Sequence, residues 1–359
     1  MSATIGFGYG IMPTLIANSR NVRQQLDTLT EQASTGRVAD TYAGLGSAAG
    51  ASLDLNPQIR ALQTYQSNID QATGGMQVAQ TAMTRLQQIA ATFVADMPNL
   101  NGLNPSEIDS VAANARTALT EVAGLLDTRN GNTYVFGGQD TANPPVPAPD
   151  GILSSGFYTQ INAAVTALST NGAPATTAAT LALAGSNAAG TSPFSAYMSQ
   201  PASALSAPAV QTGEAAMVQT GLLASANSAA TSAGPSTTGS YMRDLMRALA
   251  TLGSMSGSQA NDPNFNALVQ DTGTSLTGVV TAMATDAGVL GNTQANLTAT
   301  QTQLAATATA LTSQVSSVQD ADMAATLSQL TATQTQLQES FRLITGANSL
   351  SLINFLPAA

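Results

Sequence analysis

Apolar residues recur at intervals of seven along two long stretches of this chain, and that spacing restricts the fold more than any other feature of the sequence. The first stretch repeats at Leu55, Leu62, Ile69, Met76, Met83, Ala90 and Met97. Its companion row, three residues later, is Tyr65, Ala72, Ala79, Leu86 and Phe93. The second stretch repeats at Val269, Leu276, Met283, Leu290, Leu297, Leu304, Leu311 and Val318. Such rows are typical of long helices packed side by side, so the sequence predicts two helical rods.

Each rod is the nearest available partner for the apolar row of the other. We therefore expect a mainly α fold: a long antiparallel helical coiled-coil rod built from both chain ends, with a small inserted outer domain. The predicted rod core consists of Leu62, Ile69, Met76, Met83, Leu86, Leu290, Leu297, Leu304, Leu311 and Val318. Whether the inserted domain contains β structure is left open.

The insertion is predicted from a change of composition in the middle of the chain. Residues 141–237 hold only two charged residues, Asp150 and Glu214, but nine of the fifteen prolines. Their periodicity is poor, so a disordered linker remains an alternative to a folded domain. The predicted segments are an N-terminal assembly segment, two parts of the rod flanking the inserted domain, and a C-terminal assembly segment. Their ranges are 1–50, 51–140, 141–237, 238–318 and 319–359.

The composition argues against enzymatic chemistry. The chain contains no Lys, His, Cys or Trp, and only 8% of its residues are charged. It therefore lacks an imidazole base, a thiolate nucleophile, an amine for a Schiff base and the usual zinc ligands. A net charge of −10 counts against nucleic-acid binding, and no apolar run is long enough to predict membrane insertion. We expect no enzyme activity, no cofactor and no metal site.

The apolar stripes near the two chain ends point to association. Each lies on a segment that is too short to be stable alone and has little partner surface left in its own chain. We predict that these stripes pack between subunits. The predicted assembly interface is Leu15, Val22, Leu26, Leu29, Met323, Leu327, Leu330, Leu337, Phe341, Ile344, Leu352 and Phe355.

Motifs at both ends of the chain resemble those of a known family. The N-terminal motifs are Leu29–Arg37 (LTEQASTGR), Asp40–Gly44 (DTYAG) and Gln77–Leu86 (QVAQTAMTRL). The C-terminal motifs are Val318–Ala324 (VQDADMA) and Ser349–Leu356 (SLSLINFL). Together they resemble the bacterial flagellins and the related hook–filament junction proteins (hook-associated protein 3). The resemblance covers about 1–140 and 238–359 and omits the middle.

Two runs make the junction proteins the better match within this family. They are Asn132–Gly138 (NTYVFGG) and Leu350–Leu356 (LSLINFL). The chain also departs from flagellin, because Ser34–Val38 (STGRV) replaces the usual Ser-Gly-x-Arg-Ile and the Asn-Arg-Phe phrase of the C-terminal rod is absent.

The resemblance implies a structural subunit of the extracellular bacterial flagellum that joins hook to filament by helical self-assembly through its terminal coiled coils. It also implies export through the flagellar type III apparatus without a cleaved signal peptide. The implied partners are further copies of the chain, neighbouring hook-associated proteins, flagellin and an export chaperone. Two alternatives stay open: a flagellin subunit of the filament itself, and a secreted coiled-coil adhesin or type III tip-like protein that does not polymerise.

Overall fold

The computed structural model describes residues 11–100 and 104–349, and long helices dominate them. The helices are α1 (Ile11–Thr35), α2 (Ala49–Asp96), α3 (Pro105–Leu126), α4 (Gly156–Thr166), α5 (Leu168–Asn171), α6 (Ala173–Gly185), α7 (Tyr241–Gly253), α8 (Phe265–Gln319) and α9 (Met323–Ser349). Short 3-10 turns cover Gly46–Ala48, Met97–Asn99, Ile152–Ser154, Ala202–Ala204 and Gly257–Gln259. The structure is 69% helical, which confirms the predicted mainly α fold class. The two predicted rods correspond to α2 and α8.

Within the described residues, the strands form two small antiparallel hairpins. In the first, β1 (Arg129–Asn130) pairs with β2 (Thr133–Tyr134), and Arg129 lies opposite Tyr134. In the second, β3 (Ala209–Gln211) pairs with β4 (Met217–Gln219), and Val210 lies opposite Val218. Strands this short depend on the helices around them for stability.

The chain forms two compact units. Unit 1 contains Met1–Gln63 and Ala305–Ala359, and unit 2 contains Thr64–Leu304. Helices α2 and α8 each contribute residues to both units. The five segments predicted from the sequence have different boundaries from these units, and they stay a prediction.

Helix α7 lies at the centre of unit 2, where every one of its residues is buried. It contacts α3, α4 and α6. The surrounding core includes four residues of the predicted rod core on α2 and two on α8. These buried residues are Ile69, Met76, Met83, Leu86, Leu290 and Leu297. The heptad rows therefore supply much of the core of unit 2.

The segment 141–237 is folded. It contains α4, α5, α6 and the β3–β4 hairpin. Phe157, Ile161 and Val165 of α4 are buried in the same hydrophobic cluster as α7 and the rod residues. Ser155 begins α4 by accepting a hydrogen bond from the Tyr158 amide. The alternative of a disordered linker therefore does not describe this segment.

Buried carboxylates fix the loop that precedes α7. Asp286 of α8 accepts hydrogen bonds from the backbone amides of Ser228, Ala229 and Ala230, and from the Tyr241 hydroxyl at 2.7 Å. Burial and the neighbouring Asp286 charge raise the pKa of Tyr241, so this hydroxyl remains a donor. A carboxylate that accepts several hydrogen bonds can be buried without a large penalty.

Two buried arginines on α7 complete this arrangement. Arg243 donates to the carbonyl oxygens of Ser225 and Ala184. Arg247 is fully buried and lies 3.5 Å from the Asp271 carboxylate. Asp244 accepts a hydrogen bond from the Thr238 amide of the loop at 2.7 Å. The buried charged side chains of unit 2 thus hold the loop before α7 and help to specify how this loop packs.

Helix α2 begins earlier than the sequence signals suggest. The pair Asn56-Pro57 predicts a helix start, but α2 begins at Ala49 and contains Pro57. The Asn56 side chain donates to the Ser52 carbonyl oxygen at 2.8 Å, and Ser52 is fully buried beside Gln319. These contacts stabilise the turns before the proline, although the proline itself lacks an amide donor.

Two glycines inside α2 generate the first prediction. Gly74 and Gly75 face the side chain of Asn130, and a Cβ on either would lie 3.6 to 3.9 Å from its Nδ2 atom, an ordinary van der Waals distance. Alanine at each position should therefore raise the free energy of unfolding by about 0.5–1 kcal/mol, because glycine is the poorer helix former. Urea unfolding followed by circular dichroism would measure the gain. Gly156→Ala is the control: its Cβ would lie 1.8 Å from the Gly190 carbonyl oxygen, so this variant should be strongly destabilised.

Asp127 generates a second prediction, on pH. It follows α3, accepts a hydrogen bond from the Val146 amide at 2.9 Å, and burial raises its pKa to about 6. Because the pKa in the unfolded chain is about 3.9, the folded state binds more protons between these values, and stability falls as the pH rises through that window. Asp127→Asn keeps the acceptor but removes the titration. Relative to the wild type, the urea midpoint of this variant should rise between about pH 4 and about pH 7. If the urea midpoints of the wild type and the variant differ by the same amount at every pH in that range, the pKa of Asp127 is not raised.

Candidate assembly surface on the terminal helices

Helices α1 and α9 form an antiparallel pair within unit 1. Arg23 of α1 lies over the ring of Phe341 of α9, with its guanidinium carbon 5.1 Å from the ring centroid. At the other end of the pair, the Val38 amide donates to the Gln319 carbonyl oxygen at 2.7 Å. The end of α1 therefore lies beside the start of α9.

A glycine turn makes this pairing possible. Gly36 follows α1 with a φ of +70°, a left-handed conformation that other residues adopt at a cost. Its amide donates to the Gln32 carbonyl oxygen, and its own carbonyl accepts from the Ala321 amide at 2.8 Å. The Gln32 side chain then donates to the Val38 carbonyl oxygen. The turn fixes where the chain leaves α1 and where it meets α9.

The side of α1 that faces α9 carries most of the predicted N-terminal stripe. Val22 and Leu29 are 8% and 5% exposed, and Ser19 is also buried. Leu15 and Leu26 are half-buried. These residues follow the alternating spacing of three and four that an interhelical seam requires.

Helix α9 presents a different row to this seam. Thr326 and Thr333 are 6% and 5% exposed, and Ser340, seven residues further on, is half-buried. The aliphatic row of Leu330, Leu337 and Ile344 is only half-buried. The helix is thus rotated so that a row of hydroxyl side chains, which we call the hydroxyl row, packs into the seam.

The rest of the predicted C-terminal stripe is exposed as a consequence. Met323, Leu327 and Phe341 are 40%, 49% and 41% exposed. Leu327 and Phe341 are fourteen residues apart, so they lie on one face of α9. We call these three residues the outward row. Large apolar side chains left in solvent along one helix face are typical of a surface that binds another chain.

The predicted rod-core residues of unit 1 are less buried than those of unit 2. Leu62, Leu311 and Val318 are half-buried, as is Leu304 at the boundary of unit 2. Leu352 and Phe355 of the predicted interface lie outside the described residues. The role of all these residues between subunits stays a prediction.

Sequence reasoning missed the hydroxyl row because it considered only the most apolar row of this helix, which it predicted to pack between subunits. A signal was present: Thr326, Thr333 and Ser340 keep the same interval of seven as the apolar row beside them. It also missed three exposed apolar side chains between α1 and the start of α2. They are Val38, Tyr42 and Leu53, which are 37%, 45% and 51% exposed.

The described residues offer little for other kinds of site. Among them, no group of three or more acidic, His or Cys side chains is placed to hold a metal ion. No helix within the described ranges combines the length and apolar character needed to cross a membrane. Asp322, one of a closely spaced acidic pair, accepts hydrogen bonds from the Ala324 and Ala325 amides and so caps α9.

Paired terminal helices with an exposed apolar row define a helical structural protein suited to association. Comparison with protein families agrees with this class. Residues 12–141 match the bacterial flagellin N-terminal helical region, and residues 274–356 match the bacterial flagellin C-terminal helical region. Together the two matches cover more than half of the chain, which therefore belongs to the bacterial flagellin family. No curated protein matches the chain.

Membership of this family makes the chain a structural flagellar subunit. The family is non-enzymatic, is exported to the extracellular flagellum, and self-assembles into a helical filament. The matched regions contain α9 and all of α1 except Ile11. These helices form the seam, and α9 carries the outward row.

The third prediction is that shortening a side chain to alanine affects the free energy of unfolding differently in the seam and in the outward row. Leu29→Ala removes a buried side chain and should lower the free energy of unfolding by about 2–5 kcal/mol. Leu327→Ala, at a half-exposed position on a helix, should change it by less than about 0.5 kcal/mol. Urea unfolding of the monomer, followed by circular dichroism, measures both. Equal losses would mean that the outward row is buried within the monomer.

Proposed function

We propose that this chain is the subunit that joins the flagellar hook to the filament, and that it acts by helical self-assembly through its terminal helices. The main observation in support of self-assembly is the orientation of α9. Its hydroxyl row, with Thr326 and Thr333, occupies the seam, while Leu327 and Phe341 remain exposed. A helix with no further partner would gain more free energy by burying its apolar side chains and exposing its hydroxyls.

Burial between subunits supplies that missing free energy. Full burial of a Leu, Met or Phe side chain contributes about 1.5–3 kcal/mol, and the outward row still has about half of this gain available. Few charges have to lose water on α9, because only Asp322, Glu339 and Arg342 carry charge on this helix or its cap. Copies of the chain can therefore pack closely, because apolar side chains become buried while few charged side chains lose their water.

Two sequence runs favour the junction over the filament. The tail Leu350–Leu356 lies outside the described residues. In the run Asn132–Gly138, Phe136 is fully buried, and Gly138 has a φ of +61° with Leu223 where a Cβ would lie. The aromatic residue and the terminal glycine of this run are therefore part of the packing of unit 2.

The filament subunit is the second candidate function. The two family matches at the chain ends fit it as well as they fit the junction subunit, because they do not distinguish the two roles. The same matches count against a secreted adhesin or tip-like protein that does not polymerise. In either flagellar role, the partners we propose are copies of the chain, neighbouring hook-associated proteins, flagellin and a chaperone for type III export without a cleaved signal.

The fourth prediction tests the role of the outward row. The double variant Leu327→Ser and Phe341→Ser should remain a folded monomer but fail to sediment after seeding with flagellar filament fragments. It should also fail to restore motility to a strain that lacks the chain. The reason is that two apolar contacts between subunits are lost while the seam is intact. Gln338→Ser, an exposed change on the same helix, serves as the control and should assemble normally.

The position of the chain in the flagellum separates the two candidates. Gold-labelled antibody should mark one band at the boundary between hook and filament if the chain is the junction subunit. Labelling along the whole filament would instead identify it as a filament subunit. Neither result depends on whether purified protein polymerises.

A further inference from the structure

We propose that a cavity beside Arg243 binds a small organic carboxylate. The cavity lies within unit 2, between the end of α6, the loop that precedes α7 and the first turn of α7. Its volume is about 350 Å³, which is within the range of small-ligand sites. The inference depends neither on the outward row nor on the position of the chain in the flagellum.

The Arg243 guanidinium is a buried cation held in one orientation. Only 6% of the residue is exposed. Its Nε atom donates to the Ser225 carbonyl oxygen at 3.0 Å, and its Nη1 atom donates to the Ala184 carbonyl oxygen at 2.9 Å. The guanidinium carbon lies 5.0 Å from the centroid of the Phe194 ring. A cation that is already ordered loses little further conformational entropy when a ligand binds to it.

No carboxylate within the described part of the chain forms an ion pair with this cation. Every hydrogen-bond acceptor of the guanidinium is neutral, and none of the ion pairs includes it. Burial lowers the pKa of Arg243 more than the nearby charge of Asp244 raises it. A buried charge without a counter-ion is costly, so an anion that reaches the guanidinium gains a strong, charge-assisted interaction.

Asp244 follows Arg243 in the chain but binds other groups. Its carboxylate accepts hydrogen bonds from the Thr237 hydroxyl and from the Thr238 amide. It lines a different cavity, beside Ser275. None of the described residues that line the Arg243 cavity is acidic, although the chain has 20 acidic residues and 10 basic ones. An anion in this cavity therefore meets a cation and no carboxylate in the cavity walls.

Three side chains in the cavity walls can donate hydrogen bonds to a carboxylate. The Nη2 atom of Arg243 carries two hydrogens, and its bond to the side-chain oxygen of Asn187, at 2.7 Å, uses one of them. Asn187 and Gln200 are both exposed, and each carries an amide group with two donor hydrogens. The Asn187 oxygen is neutral and belongs to an exposed side chain. A carboxylate oxygen in its place would form a stronger bond with Nη2.

The surroundings favour an organic monoanion over a divalent anion. Arg243 is the one basic residue among the described residues of the cavity walls. A divalent anion would keep one charge uncompensated inside a chain whose net charge is −10. The positive end of the α7 dipole, at Ser240 in the cavity wall, attracts a single negative charge as well. Leu205 and Ala226 supply apolar wall for the carbon atoms of the acid.

A bound carboxylate should stabilise unit 2. Arg243 connects the end of α6 to the loop before α7 through the carbonyl oxygens of Ala184 and Ser225. These segments form the cavity only in the folded chain. A ligand that binds the folded chain and not the unfolded chain raises the midpoint of unfolding.

Lactate and lactamide are matched probes for the full-length chain, because they have nearly the same shape and only lactate is charged. Sodium lactate should raise the thermal unfolding midpoint, followed by circular dichroism, until the effect saturates. Isothermal titration calorimetry should detect one lactate site per chain. Lactamide, with sodium chloride added to equal ionic strength, should leave the midpoint unchanged. Equal shifts with both probes, or no shift with lactate, would refute the recognition of a carboxylate.

Asn187→Asp tests where lactate binds. The new carboxylate lies beside Nη2 at an exposed position, so this variant should fold, unfold at a higher temperature without ligand, and bind lactate about ten-fold more weakly than the wild type. Asn296→Asp is the matched control, because it makes the same change at an exposed residue of α8 outside the cavity. It should keep the full response to lactate. If Asn187→Asp and the wild type bind lactate equally well, lactate binds elsewhere and the proposal is wrong.

Discussion

The heptad row of α8 is continuous, but its burial depends on which elements lie beside it. Leu276, Met283, Leu290 and Leu297 are all at most 5% exposed, because unit 2 surrounds this part of the helix. Further along the same row, Leu304, Leu311 and Val318 are half-buried. A period of seven specifies which side chains share a face, while burial requires a neighbour that covers that face. Leu304, Leu311 and Val318 therefore keep apolar area that the described part of the chain does not cover.

Unit 2 uses its few charges in a way that suits a protein of low charge content. Two of the ten arginines lie buried on α7, and Asp244, Asp271 and Asp286 face them or the loop before α7. Removing one partner of such a group leaves a buried charge unpaired, which costs more free energy than the intact pair contributes. These charges select one packing of the loop against α7 and α8.

The long helices and the fold class could be predicted from the sequence because period seven persists for many turns. Val22 and Leu29 were likewise predictable as members of an N-terminal stripe. The orientation of α9 was not, because Thr326, Thr333 and Ser340 repeat at the same interval as the aliphatic row beside them. Choosing between two neighbouring rows depends on the shape of α1, with Ser19 and Ala33 in its seam, and this information is tertiary.

The fold of 141–237 was unpredictable for a related reason. Its helices are short and rich in alanine and threonine, and α6 shows almost no difference in polarity between its faces. What orders them is contact with one another and with α7, which lies far away in sequence. The carboxylates that hold the neighbouring loop were equally hidden, since Asp271 and Asp286 occur on α8 with no motif around them.

The small side chains in the α1/α9 seam have a consequence for assembly. A seam filled with leucine on both helices would satisfy α9 within the monomer and leave only polar residues outside. With Thr326 and Thr333 inside, the pair forms while Leu327 and Phe341 stay exposed. The same choice limits the stability of the isolated pair, because a buried threonine contributes less apolar area than leucine. Both effects serve the proposed self-assembly: the pair is ordered in the single chain, and the exposed apolar side chains of α9 remain available for burial between subunits.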